Sequence, residues 1–528
     1  MPAILGPLLT AAAIVTSIAP VTASASPGTV GFNFERRRVN AEDVPHLRKR
    51  ASDKTVLASL TNEYILYFIN VTVGTPGQAF SLQLDTGSSD IWFPSVNADV
   101  CRQDIQYCPV GTYDSSASST FAELNLPEFQ IQYVDGTEIA GSYLSDVLNI
   151  GSTQLTNMTM AEALTANTRG IGIMGIGFQS GEAAASQNGF TYPNVIDVLK
   201  SEGFINTLAY SLWLDDLASS TGSILFGGVD TNKYHGDLVS LPIQIDTQSQ
   251  TISSFTVAWT GLTVTAAGQV SKFNPTAPLP VILDSGTTDT LLPDDIANDI
   301  FNGVGVLTDP SYGNVVKCSL ADDDVTFSFT FGGAGGPIVN VSLSEFVTPL
   351  LTTDGSQPTF ENGDPACSFG IEAAGDNPLL FGDSFLRSAY VVYDLENQQI
   401  AIAQTNFDAN PSDQNVQAFQ VSSGIPNVAS TATAASVAQT FTGNPHVTEA
   451  SATATGSLAG GTSRSATFKL TPTKSSGASS TADSGSSSSS SSNAANPNLR
   501  PGSIQLGGIT ALGVVVGGVL LGGSLVLL

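Results

Sequence analysis

From about residue 51 to about residue 405, short β-branched and aromatic runs alternate with turns built from Gly, Asn, Asp and Pro. YILYFINVTV, SILFGGV, VTFSFTF and YVVYDL are the plainest of these runs. Apolar stretches of this length, bounded by turn residues, predict strands. Helical spacing of apolar positions is confined to Tyr192–Lys200 and Pro293–Phe301. The body is therefore expected to be all-β.

Within that body one pattern repeats. LDTGSSDIWFP, Leu84 to Pro94, returns as LDSGTTDTLLP, Leu283 to Pro293, matching without a gap at Leu, Asp, Gly, the second Asp and Pro. Each copy is entered from an apolar run, FSLQL before Asp85 and PVIL before Asp284. An Asp-Ser/Thr-Gly turn is ordinary on its own. Two in equivalent settings imply a duplicated unit, expected here as an N-terminal lobe over 51–240 and a C-terminal lobe over 241–405. GIGIMGIGF (170–178) and PLLFGDSF (378–385) also correspond, each an apolar strand running into Gly. Glycine there permits close approach of another backbone segment, so both are expected to brace the Asp turns.

The two ends carry different patterns. Residues 1–25 hold an apolar run closing on Ala23-Ser24-Ala25 and read as a signal peptide. Residues 26–50 read as a propeptide ending at the basic cluster Arg48-Lys49-Arg50, with Arg50 as the processing site. Residues 406–505 are rich in Ser, Thr and Ala and poor in aromatics, the composition of a disordered, O-glycosylated stalk. Residues 506–528 are apolar and uncharged, and follow the small residues Asn493-Ala494-Ala495 and a polar spacer. That arrangement is the signal for a GPI anchor at Asn493, tethering the protein to the outside of a membrane.

Charge narrows the partners. Between Ala51 and Ala403 there are 39 acidic against 8 basic residues, a net charge of −31. Such a body repels nucleic acid and loses much of its self-repulsion toward pH ~4, where carboxylates protonate. Four cysteines in an exported chain imply two disulfides. Local pairing, Cys101 with Cys108 and Cys318 with Cys367, is the most economical of three connectivities. Sequons at Asn70, Asn157 and Asn340 fit the same route.

Candidate chemistry then follows by elimination. Of three histidines only His235 lies in the body, which argues against a Ser-His-Asp triad. The cysteines are spaced for disulfides, so no metal or other cofactor is expected. What remains is a pair of carboxylates. Two aspartates within hydrogen-bonding reach share one proton. One can then draw a proton from a bound water while the other donates to the carbonyl under attack.

DTGSSDIW, DSGTT, the two apolar-Gly strands and FGDSFLRSAYVVYD stand in the order of the pepsin-family aspartic proteases, which the chain resembles over residues 64–405. The resemblance implies a bilobal fold with the cleft between the lobes, and Asp85 and Asp284 as the catalytic pair. It implies that Thr86 and Ser285 cross-link the two loops, Ser88 and Thr287 bond the carboxylates, and Gly87 and Gly286 admit backbone N–H groups. Tyr133 matches the flap tyrosine, on a hairpin turning at Asp135-Gly136 and reaching Trp92. Stalk and anchor resemble the fungal yapsin-like branch, which cleaves after basic residues. Asp135 is the acid expected to meet the basic side chain, and Arg48-Lys49-Arg50 resembles a kexin-type site. The expectation is a monomeric, surface-anchored acid endopeptidase. A silent binding protein or wall glycoprotein on the same fold is the alternative, against which both aspartates stand intact.

Overall fold

The computed structural model describes residues 57–62 and 66–440, apart from short breaks at 168–169, 220, 248, 310–311, 351–356, 411–412 and 433–435. The leader, the cluster ending at Arg50, the remainder of the expected stalk from 441 and the tail with Asn493 lie outside the described residues.

Strands dominate, and the duplicated pattern in sequence is a duplicated pattern in space. In the first half Gln78–Asp85 runs parallel to Ile173–Gly175, with Leu84 opposite Met174, and Ile173–Gly175 pairs in turn with Ile91–Pro94. In the second half Leu279–Leu283 runs parallel to Leu379–Phe381, with Leu283 opposite Phe381, and that strand meets Thr290–Leu292. Each Asp turn thus leaves a strand beside its apolar-Gly partner and re-enters the sheet on the partner's other side. A Cβ on Gly175 would sit 2.7 Å from the backbone of Asp90, and one on Gly382 would sit 2.2 Å from the Thr287 carbonyl oxygen. No side chain fits at either place, which is why glycine ends the first strand and directly follows the second.

One large sheet crosses the boundary between the halves. Ala209–Trp213 pairs antiparallel with Ala389–Asp394, which pairs with Gln399–Thr405, which pairs with Tyr234–Pro242. The last strand spans residue 240, so the expected cut between lobes falls inside a strand. A continuous core fills both halves, drawing Leu82, Met174 and Phe226 from one and Phe255, Phe329 and Phe381 from the other.

The expected helices form. Val195–Ser201 is capped by Asn194, whose side chain accepts the Ile196 N–H while Asp197 reaches back to the cap. Asp294–Val304 carries two acids in its first turn and ends at Gly305 with φ 79°.

The stalk boundary needs correction. The described residues between 406 and 440 belong to the folded body. Val416–Ala418 pairs with Gly228–Asp230, and Val428–Thr431 adds a parallel strand beside Tyr234–Pro242. Phe419 and Ile425 are buried against Trp213, Leu238, Tyr390 and Val392. Composition misses this strap because its few apolar residues build no core of their own; they complete one that the body leaves open.

Candidate active site

The two Asp turns meet face to face. The Thr86 hydroxyl donates to the Leu283 carbonyl (3.0 Å) and accepts the Ser285 N–H (2.9 Å). The Ser285 hydroxyl donates to the Leu84 carbonyl (3.0 Å) and accepts the Thr86 N–H (3.2 Å). Four reciprocal bonds therefore lock the loops about a local two-fold axis. Gln83 adds a fifth, its side-chain amide donating to the Gly286 carbonyl (3.1 Å).

This lattice holds Asp85 and Asp284 fully buried with their carboxyl groups hydrogen-bonded to each other. Each is fixed in the same way. Asp85 accepts the Gly87 N–H (2.7 Å) and the Ser88 hydroxyl. Asp284 accepts the Gly286 N–H (2.8 Å) and the Thr287 hydroxyl (2.6 Å). Burial first, and then the charge of Asp85, push the Asp284 carboxyl well above the usual carboxylate range, against the pull of the bonds from Thr287 and Gly286.

A hairpin of Phe129–Gln132 and Glu138–Ile150 closes over the pair. Its turn is tied by Gly136 N–H to the Tyr133 carbonyl (3.0 Å), with Gly136 at φ 84°. Asp135 Oδ1 accepts the Thr137 N–H (2.8 Å), so this acid also shapes the turn. The Tyr133 hydroxyl accepts the Trp92 indole N–H (2.9 Å) and bonds the Ser88 side chain. Hydrogen bonds therefore run unbroken from Trp92 through Tyr133 and Ser88 to Asp85. Beyond Tyr133, Val134 packs on Ile282, Leu291, Ala374 and Leu380 of the second half.

Both disulfides are local, Cys101 to Cys108 and Cys318 to Cys367. Asn70, Asn157 and Asn340 are all exposed.

A model of the eukaryotic aspartyl proteases matches residues 66–405. The chain belongs to this family. A probable aspartic-type endopeptidase, opsB, of Aspergillus fumigatus is 39% identical over 83% of this chain and 90% of its own length. An acid protease of Saccharomycopsis fibuligera is 34% identical over 76% of this chain and 98% of its own, and candidapepsin-3 of Candida albicans is 34% identical over 75% and 95%. The aspartyl protease described here is accordingly an aspartic-type endopeptidase with an all-β, two-lobed fold.

Several polar groups around the site have no role assigned in the sequence reading. Asp90 and Asp289, the second aspartates of the repeat, are pushed up to about 6 and about 7, in both cases mainly by burial. Glu182 and Glu372 lie beside them. Asp383 is fully buried beneath the dyad, held well above its ordinary value by burial despite the nearby Arg387. Arg387 is itself buried in an ion pair with Glu345 (2.6 Å). The matched second aspartates were the available signal; the glutamates come from distant segments that only the fold brings near.

Proposed function

We propose that Asp85 and Asp284 are the catalytic dyad of this endopeptidase. The observation that carries the assignment is the reciprocal Thr86–Ser285 lattice, which holds the two carboxyls in contact. The pair shares one proton, resting on Asp284, whose ionisation burial and the Asp85 charge oppose. Asp85 takes a proton from a water bound between the two groups as the water oxygen bonds to the peptide carbonyl carbon. Asp284 gives its proton to the carbonyl oxygen, producing a neutral tetrahedral diol. Asp85 then passes its proton to the amide nitrogen as the C–N bond breaks, and Asp284 recovers one from the diol hydroxyl. The flap, with Tyr133 bonded to Ser88 and Trp92, excludes bulk water over these steps.

Substrates with a basic residue before the cleaved bond are preferred in this reading. Support comes from the net charge of −31 between Ala51 and Ala403 and from Asp135 at the flap turn. The enzyme is exported, trimmed after Arg50 by a kexin-type protease, and tethered through a GPI anchor at Asn493. Support comes from the leader and tail patterns and from a relative named secreted aspartic protease 3 of Candida albicans, 34% identical.

The test uses the chain truncated after Thr440, assayed between pH 3 and 7 on peptides with basic or large apolar residues before the cleaved bond. Asp85→Asn and Asp284→Asn are each expected to lower kcat by about 10³-fold or more, and a statine-type mimic to inhibit the parent. Cleavage that survives either substitution removes the dyad assignment. Equal kcat/KM on both peptide sets removes only the basic preference.

A further inference from the structure

Two residues before each dyad aspartate the copies of the repeat part company: the first has Gln83 and the second Ile282. Ile282 is buried with Leu291, Ala374 and Leu380, and Val134 of the flap packs against that cluster. The second half thus uses the position as floor for the flap. Gln83 is used differently. It shares one face of Gln78–Asp85 with Asp85, since side chains two apart on a strand point the same way. Only 1% of it is exposed, and its amide crosses to the other half to donate to the Gly286 carbonyl (3.1 Å).

A carboxamide buried in a strand is costly unless it is bonded. The base of this one is fixed on both sides. The Gln83 N–H donates to the Gly172 carbonyl (2.9 Å), and its Cα pairs with Phe68 in one neighbouring strand and Ile173 in the other. Its target lies next to the chemistry. Gly286 is buried, and its own N–H donates to Asp284 Oδ1 (2.8 Å). Gly286 is therefore held at its N–H by Asp284 and at its carbonyl by Gln83. The four Thr86–Ser285 bonds treat the two turns alike. The Gln83 bond does not, because Ile282 has no group to donate to the Gly87 carbonyl.

We propose that Gln83 is a positioning residue that makes the dyad's support one-sided, pinning the turn of Asp284 to the strand that ends in Asp85. The two aspartates have different jobs: Asp284 brings a proton to the substrate carbonyl, and Asp85 takes one from water. Asp284 belongs to the turn that Gln83 ties down, and the tie comes from the strand of its partner. One side-chain amide, acting through the Gly286 peptide, thereby sets the place of the proton donor relative to the acceptor. A misplacement of about 1 Å can cost about 10²-fold in rate.

The inference rests on the dyad reading, and the two fail differently. Gln83→Met, Gln83→Asn and Gln83→Glu are compared with the parent in the full-length protein at about pH 3, by kcat, KM and Tm. Met matches Gln in length and has no donor, while Asn has a donor one methylene short. Glu is protonated at this pH, below its ordinary value of ~4.3, and its O–H can donate to the Gly286 carbonyl. Gln83→Met and Gln83→Asn are expected to lower kcat by about tenfold or more with KM within about threefold, and Gln83→Glu to keep kcat within about threefold of the parent. A Gln83→Met enzyme that loses Tm but not kcat overturns the proposal, as does a Gln83→Glu enzyme no faster than Gln83→Met. If Gln83→Met does not fold, Gln83→Asn takes its place in both comparisons. Failure of the dyad reading would appear elsewhere, as activity surviving Asp85→Asn.

Discussion

Thr86 and Ser285 show how much two small hydroxyls can fix. Each donates to the opposite strand's last carbonyl and accepts the opposite N–H, so neither loop can shift without breaking bonds on both sides of the axis. Thr86→Ala leaves the Ser285 N–H and the Leu283 carbonyl buried and unpaired, an expected cost of about 1–3 kcal/mol. Urea unfolding at pH 4 measures it, and kcat should fall more than KM rises, since the dyad's spacing is what loosens. Tyr133→Phe leaves the buried Trp92 indole N–H without its partner. It is expected to lower kcat/KM by about tenfold while leaving Tm within a few degrees. At this scale the sequence was informative wherever it repeated itself. The dyad, its flanking hydroxyls and the second aspartates all lie in one aligned pair of segments. Glu182 and Glu372 lie outside it, and nothing in their local sequence marks them as neighbours of those aspartates.

At the scale of elements, strands were legible from apolar runs between turns and the helix Val195–Ser201 from the helical spacing of apolar positions over Tyr192–Lys200. The strap of residues 406–440 was not. Its Ser, Thr and Ala content resembles the segment that follows, and its burial depends on edges supplied by strands far earlier in the chain. It nevertheless makes specific contacts. Lys233, 3% exposed, lies 4.1 Å from the Trp213 ring centroid and donates to the Asn410 carbonyl (3.1 Å). Gln439 is buried at the far end, its carbonyl accepting the Thr247 N–H (2.8 Å) and its amide reaching Ser254 (3.3 Å). A chain ending at Thr405 loses Phe419 and Ile425 from the core, about 2–3 kcal/mol for each side chain. It is expected to melt several degrees lower than a chain ending at Thr440 and to bind more of a hydrophobic dye, both read by thermal shift.

For the whole molecule the decisive variable is pH. Burial raises the folded-state values of Asp90, Asp289, Glu372 and Glu182 to about 6, 7, 8 and 9. Raised values mean that the folded state holds these protons more tightly than the unfolded chain. The stability they contribute is fully present below the unfolded carboxyl value of ~4. It is lost as pH rises through the folded values. Denaturant midpoints should therefore fall steadily from pH 4 to pH 8, and the fall should be smaller in Asp90→Asn. The net charge of −31 adds a salt-dependent part. Added salt is expected to soften the loss at pH 7 and to weaken kcat/KM for basic peptides more than for apolar ones.

The strap also decides where such an enzyme can be cut loose. Under the tethered reading proposed above, a cut before Val428 would remove part of the wall around Trp213 and Tyr390, and one between there and Gln439 would free the Gln439 bonds to Thr247 and Ser254. A sheddase that leaves a working enzyme in solution has to act beyond that glutamine, on the Ser- and Thr-rich chain that follows. Release upstream is destruction.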